Sequence, residues 1–214
     1  MTRRILTLLT ALATAVITAV ALATPAQAFA ITAGFMITSG GRWCTVSFPD
    51  PKMPNIVYTA GHCFQDGITD VSLGNIRIGE FLPQIHDSDL DIIAIRLNDR
   101  VASDYSLMSR EPLLSPWVPH KGATVCKYGA TTQETCGTVI SVDGERFAVD
   151  MPAQHGDSGA PIYEQNLDDE TKGVHMVGTL ISSNRENPNI IYCTQITALE
   201  AFLGRTWGGD WNMA

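Results

Sequence analysis

Positive charge is scarce in this chain of 214 residues: 14 Lys and Arg stand against 22 Asp and Glu, a net of −8. With no basic patch, nucleic acid is a poor partner. Charged residues of both signs make up only 17%, while hydrophobic residues reach 45%, the opposite of a disordered chain. No CxxC, HxxxH or similar ligand spacing occurs, which argues against a metal-dependent hydrolase and leaves no cofactor to expect. There is no internal repeat and no low-complexity tract. Beyond residue 30 no apolar run is long enough to span a bilayer. Cysteines are few, and their number, five, is odd.

The first thirty residues read as an export signal. Arg3 and Arg4 are followed by no charge up to residue 30, and residues 5–23 are Leu, Ile, Val, Ala and Thr only. Pro25 and the small-residue stretch Ala26-Gln27-Ala28-Phe29-Ala30 follow, giving cleavage after Ala28 or Ala30. An uncleaved membrane anchor is the competing reading. Removing Arg3 and Arg4 with the signal takes the net charge from −8 to −10. The mature chain is expected outside the cell or in its envelope, free of the membrane and monomeric.

Short apolar runs then recur, at 43–48, 55–60, 71–78, 92–97, 125–128, 138–142, 147–149, 174–181 and 190–196. Pro49-Asp50-Pro51, Asp66-Gly67, Asp143-Gly144 and Asn187-Pro188 punctuate them. The pattern predicts an all-β barrel or sandwich. One helix is predicted over 196–203, with Thr197 as N-cap and Gly204 as the stop. Residues 205–214 read as a polar and aromatic tail.

Three short segments carry chemistry, in the order His, Asp, Ser. Thr59-Ala60-Gly61-His62-Cys63 ends an apolar strand, Asp91 opens another, and Gly156-Asp157-Ser158-Gly159-Ala160-Pro161 surrounds a serine with glycines. A serine hydroxyl is a poor nucleophile until a neighbouring base takes its proton. Histidine suits that task, and a carboxylate on its other ring nitrogen selects the tautomer and stabilises the imidazolium. The tetrahedral oxyanion needs fixed donors, and a glycine lets backbone N–H groups approach it. Asp87 and Asp89 compete with Asp91, because His86-Asp87-Ser88-Asp89-Leu90-Asp91 imitates the start of a calcium loop. Ile92 stands where such a loop needs glycine, and no acid follows at its twelfth position. Asp91 is preferred because the strand 92–97 follows it directly.

On these motifs the sequence resembles the chymotrypsin-like serine proteases, and within them the compact secreted bacterial streptogrisin-like branch. The likeness also includes Ile31-Thr32-Ala33-Gly34, Gly41-Arg42-Trp43-Cys44, the stretch from Val125 to Thr132, Cys136-Gly137 and Ile196-Thr197-Ala198-Leu199. It implies two six-stranded antiparallel β-barrels, residues 31–110 and 111–214, with the active site in the cleft between them and a short C-terminal helix. Ser158 is then the nucleophile, His62 the base, Asp91 its orienting acid, and the N–H groups of Gly156 and Ser158 the oxyanion hole. The implied function is a secreted serine endopeptidase that hydrolyses peptide bonds of a peptide or protein substrate through an acyl-enzyme.

The resemblance has gaps. Ala160 replaces a second glycine. The substrate pocket would be lined by Pro152, Ala153 and His155 on one side and Ser182, Ser183 and Asn184 on the other, where relatives carry glycines. Pro152 stands where relatives that cut after Lys or Arg have an acid, so cleavage after basic residues is not expected. His175 invites comparison with the glutamate-selective branch, but its offset from the pocket wall is wrong. Relatives carry a long pro-segment, whereas here the signal runs straight into the domain. Asp157 needs a cation: a free Ile31 terminus as in the animal enzymes, or an internal one, Lys127 or Arg146, which is the expectation. A protease-fold binding protein with little or no turnover is the alternative. The same likeness pairs Cys44 with Cys63 and Cys126 with Cys136, leaving Cys193 behind the pocket unpaired within the chain, either as a buried free thiol or in an intermolecular disulfide.

Overall fold

The computed structural model describes residues 30–109, 111–165 and 173–207. The export signal, apart from Ala30, and the tail from 208 onward lie outside the described residues. The first half forms β1 (Ala30–Ala33), β2 (Met36–Ser39), β3 (Arg42–Thr45), β4 (Phe48–Pro49), β5 (Ile56–Ala60), β6 (Asp70–Leu73), β7 (Ile76–Asp87), β8 (Ile92–Leu97) and β9 (Ala102–Leu107). The second forms β10 (Leu113–Leu114), β11 (Thr124–Gly129), β12 (Gln133–Asp143), β13 (Arg146–Asp150), β14 (Pro161–Gln165), β15 (Val174–Ser183), β16 (Ile190–Gln195) and the helix α1 (Ile196–Trp207).

The expected all-β architecture of two barrel units and a short helix is present. The second sheet runs β10-β15-β14-β11-β12-β13-β16 and closes through a β15–β16 pairing into a six-stranded barrel, with β10 added outside. The first runs β3-β2-β6-β7-β8-β5-β4 and stays a half-barrel, bounded by the short strands β3 and β4. In the second barrel a bulge between Leu180 and Ser182 occurs within the pairing of β15 with β16. β1 pairs in parallel with β9, apart from both sheets.

Side-chain alternation along the strands explains the layers. In β8, Ile93, Ile95 and Leu97 join the core of the first sheet with Val46, Val57 and Phe81. The alternate residues Ile92 and Ala94 face a second cluster with Phe48, Tyr58, Tyr163, Met176, Leu199 and Leu203, which fills the space between the sheets and α1. β8 is therefore apolar on both faces from Ile92 to Ile95, with Arg96 alone exposed before Leu97. A third cluster, with Val125, Val149, Ile162 and Cys193, is the core of the closed barrel.

Three local expectations change. The run 71–78 is a hairpin, β6 and β7 joined at Gly74-Asn75, because Leu73 pairs with Ile76. The run 43–48 divides into β3 and β4 at Val46-Ser47. The helix starts at Ile196, leaving Thr197 inside its first turn, and passes through Gly204 to Trp207. Tertiary contact outweighs the glycine: Trp207 Nε1 donates to Tyr58 Oη at 3.0 Å, and Tyr58 Oη donates to Asp50 Oδ2 at 2.6 Å.

The two units meet at Gly159, with φ +87°; a Cβ there would lie 2.3 Å from both Thr45 O and Thr59 Oγ1. Gly159→Ala is expected to lower unfolding free energy by about 2–4 kcal/mol through strain and overpacking. Urea denaturation measures this, and a loss below about 0.5 kcal/mol, the range of a surface change, would show that the contact can relax.

Candidate active site

Strand register brings His62 and Asp91 together. β5 and β8 are antiparallel, and Ala60 pairs with Ile92. His62 follows β5 in the short turn Gly61–Cys63, and Asp91 immediately precedes β8, so both emerge at one end of the pair. Asp91 Oδ1 accepts the backbone N–H of His62 at 2.7 Å, and Asp91 Oδ2 lies 2.7 Å from His62 Nδ1. An ionised carboxylate only accepts, so Nδ1 carries the ring proton and Nε2 is left with its lone pair. Asp91 holds this position with φ +54°, a left-handed conformation uncommon for a non-glycine residue. Asp89 is placed elsewhere: its N–H donates to Asp87 Oδ1, and its carbonyl accepts from Arg146. The Cys44–Cys63 disulfide ties β3 to the His62 turn.

Ser158 stands across a cleft of about 1120 Å³ that His62, Asp91 and Gly156 also line. Ala153, His155, Ser182, Ser183 and Asn184 line it as expected; Pro152 is exposed and is not among the lining residues. Gln154, in the segment expected to form one wall, lines it too; sequence reasoning missed Arg42, Trp43 and Arg185, which also line it. The loop before Ser158 is held by its carbonyls. Thr131 Oγ1 donates to His155 O at 2.7 Å, Thr45 Oγ1 donates to Gly156 O at 2.7 Å, and Thr45 N donates to Ser158 O at 2.8 Å. The trans peptide sets N–H opposite C=O, so the Gly156 N–H points away from Thr131. Among the described residues, neither the Gly156 nor the Ser158 N–H donates to a protein acceptor. Gly156 has φ +102°, and a Cβ there would lie 2.3 Å from Thr131 Oγ1, so only glycine fits.

Asp157 is fully buried, and its carboxylate receives five donors. Oδ1 accepts the N–H groups of Thr131 (2.9 Å) and Thr132 (3.1 Å); Oδ2 accepts Gln154 N (3.0 Å), Thr132 Oγ1 (2.7 Å) and Lys127 Nζ (3.3 Å). Burial alone works to raise this carboxyl, but the Gln154 and Thr131 N–H groups, the Thr132 hydroxyl and the Lys127 ammonium outweigh it and hold it below its ordinary value. Burial pulls Lys127 below its usual value, and Asp157 offsets part of that. The cation is therefore Lys127. Arg146 bonds to Asp89 instead, and Ile31 is buried in β1 opposite Ser103. The Cys126–Cys136 disulfide joins directly paired residues of β11 and β12 and closes the loop carrying Thr131 and Thr132.

The remaining departures are structural. Ala160 is fully buried in the core of the closed barrel, which accepts its methyl. His175 is buried against Trp117, with ring centroids 3.8 Å apart, and its Nδ1 bonds to Ser115 O; it does not line the cleft. Cys193 is a buried free thiol, pushed by burial well above its ordinary pKa. Behind the pocket the Met151 N–H donates to Asn189 O, tying together walls that no disulfide joins. Among the described residues no group of three or more His, Cys, Asp or Glu side chains is placed to hold a metal, and no helix is long and apolar enough to cross a membrane.

This is the fold of the chymotrypsin-like bacterial serine proteases. Cellulomonas bogoriensis chymotrypsin superposes with a TM-score of 0.64 at 21% identity, over 82% of this chain and 97% of that one. A glutamic acid specific serine protease that uses a histidine triad in substrate binding matches at 0.66 and 21%, over 81% and 98%. At such identities the likeness establishes the fold alone. In sequence, the uncharacterized protein Rv1815 of Mycobacterium tuberculosis is 35% identical over 144 residues, which span 61% of this chain and 65% of the relative. No family model matches.

Two predictions follow from the loop around Ser158. Lys127→Met leaves a buried carboxylate without its cation and is expected to cost about 3 kcal/mol, the lower end for a broken buried pair because four donors remain; thermal and urea unfolding measure it. Because Asp157 is held below its ordinary value, its contribution is complete above the usual carboxylate range and is lost as pH falls through its lower folded value. The stability difference between the wild type and Asp157→Asn should therefore shrink as pH falls below 4.

Proposed function

We propose that the protein is an exported serine endopeptidase that acts through Ser158, His62 and Asp91. The observation that carries this reading is the double hold of Asp91 on His62, at the backbone N–H and at Nδ1, beside a cleft that Ser158 shares. His62 Nε2 takes the Ser158 proton as Oγ attacks the scissile carbonyl. The oxyanion receives the N–H groups of Gly156 and Ser158, which have no other acceptor among the described residues. The imidazolium, stabilised by Asp91, passes its proton to the leaving amine. Water then attacks the acyl-enzyme by the same route and frees Ser158. Lys127 and Asp157 act upstream of the chemistry, by fixing the loop that presents both donors. The two disulfides support an oxidising, extracytoplasmic setting. The substrate is a peptide or protein.

A fluorophosphonate probe on the processed protein tests the reading. Labelling is expected at Ser158, absent in Ser158→Ala and slowed about 10⁴-fold in Asp91→Asn. A folded, disulfide-intact protein that takes up no probe would be a binding protein built on a protease fold. Thr45→Val removes the hydroxyl that holds Gly156 O and keeps the side-chain shape. It is expected to slow labelling about 10–100-fold, in the range of a weakened oxyanion donor, with little change in peptide affinity. An equal loss in both would make Thr45 a residue of the fold alone.

A further inference from the structure

The charge lining the cleft runs against that of the whole chain. The chain carries a net of −8, yet the cleft presents the permanent cations Arg42 and Arg185 and the imidazoles of His62 and His155. Asp91 is the one carboxylate among its described lining residues, and it is committed to His62. We propose that the cleft takes an acidic peptide segment and that Arg185 receives its carboxylate; this rests on the cleft being the substrate site.

The two arginines are not equivalent. Arg42 Nη1 donates to His62 O at 2.6 Å. It is thus already engaged by a backbone carbonyl, and it also borders an adjoining hollow of about 480 Å³ that Asp66 and His86 line. Arg185 is exposed at the cleft wall, and among the described residues no hydrogen bond or ion pair engages its side chain. Its neighbour Glu186 does not line the cleft.

The turn that presents Arg185 is well held. Asn184 Oδ1 accepts the N–H groups of Glu186 (2.8 Å) and Asn187 (3.1 Å). Asn184 Nδ2 donates to Tyr192 Oη at 2.9 Å, and Asn184 N donates to Ile190 O at 2.7 Å. The Met151 N–H donating to Asn189 O joins this turn to the opposite wall. The guanidinium is thus an unpaired fork on a fixed backbone, matched in shape to a carboxylate. A basic side chain in the same place meets repulsion and finds no uncommitted acid. A neutral one leaves the fork to water. Since the field of the whole chain repels acidic ligands, the local cation decides the preference, and salt weakens the contrast.

The test uses the processed Ser158→Ala protein, which leaves peptides intact. Three fluorescein-labelled, alanine-rich decapeptides carry Glu, Gln or Lys at one central position, and fluorescence anisotropy reads their affinities. The Glu peptide is expected to bind about tenfold tighter than the Gln peptide at low salt, the scale of one hydrogen bond to a charged group. The contrast should fall as NaCl is raised and vanish when Arg185→Gln is added. Adding Arg185→Glu instead should favour the Lys peptide. Arg185 is exposed, so these changes spare the fold. Equal binding of the Glu and Gln peptides, a contrast that survives Arg185→Gln, or binding of none of the three overturns the proposal. Probe labelling of the wild type is read separately. Labelling without a Glu preference sinks only the acidic substrate, and a Glu preference without labelling sinks only the endopeptidase reading.

Discussion

A buried carboxylate organises the serine side of this cleft. Asp157 has no solvent to stabilise its charge, so the fold must supply donors, and four residues from three segments contribute them: Lys127 from β11, Thr131 and Thr132 from the β11–β12 loop, and Gln154 from the pocket wall. Because Asp157 immediately precedes Ser158, every bond that satisfies the carboxylate also fixes the backbone of the candidate nucleophile. The Cys126–Cys136 disulfide closes the loop that donates two of those N–H groups. Stability and presentation of the serine are thus one interaction seen from two sides.

The other half of the site comes from the first sheet, and Thr45 joins the two. Its hydroxyl donates to Gly156 O and accepts from Ala130 N, its N–H donates to Ser158 O, and its carbonyl accepts from Thr59 Oγ1. Thr59 lies on β5, three residues before His62. A short chain of hydrogen bonds thus links the strand carrying the candidate base to the loop carrying the candidate nucleophile, across the contact where Gly159 leaves room for nothing larger than hydrogen. A half-barrel against a closed barrel suffices, since register at the β5–β8 end and this contact set the geometry.

Legibility in the sequence followed how local each signal was. β8 was readable to the residue because it is apolar on both faces, one against each core. The 71–78 hairpin was not, because its two-residue turn interrupts the apolar pattern too briefly. Gly204 misled because a glycine stops a helix only when nothing holds the next turn, and Trp207 bonded to Tyr58 holds it. The three motif residues were legible from their order and flanking glycines, and five of the six expected pocket residues line the cleft. Arg185 carried no motif, and its place in the cleft lining is visible only in the tertiary structure.

The sequence by itself determined the residue types and their order: a histidine after one strand, an aspartate before the next, a serine between glycines, and cysteines whose pairing the family resemblance supplied. These are properties of neighbours along the chain, and β register carries them directly into space. Only the tertiary structure decided that Lys127 rather than Arg146 faces Asp157, that Thr45 spans the two units, and that an acidic chain presents a cationic cleft. Burial of a charge and the balance of a cleft depend on every segment that arrives there, and residues 30 to 111 positions apart in the chain have no local signal of their meeting.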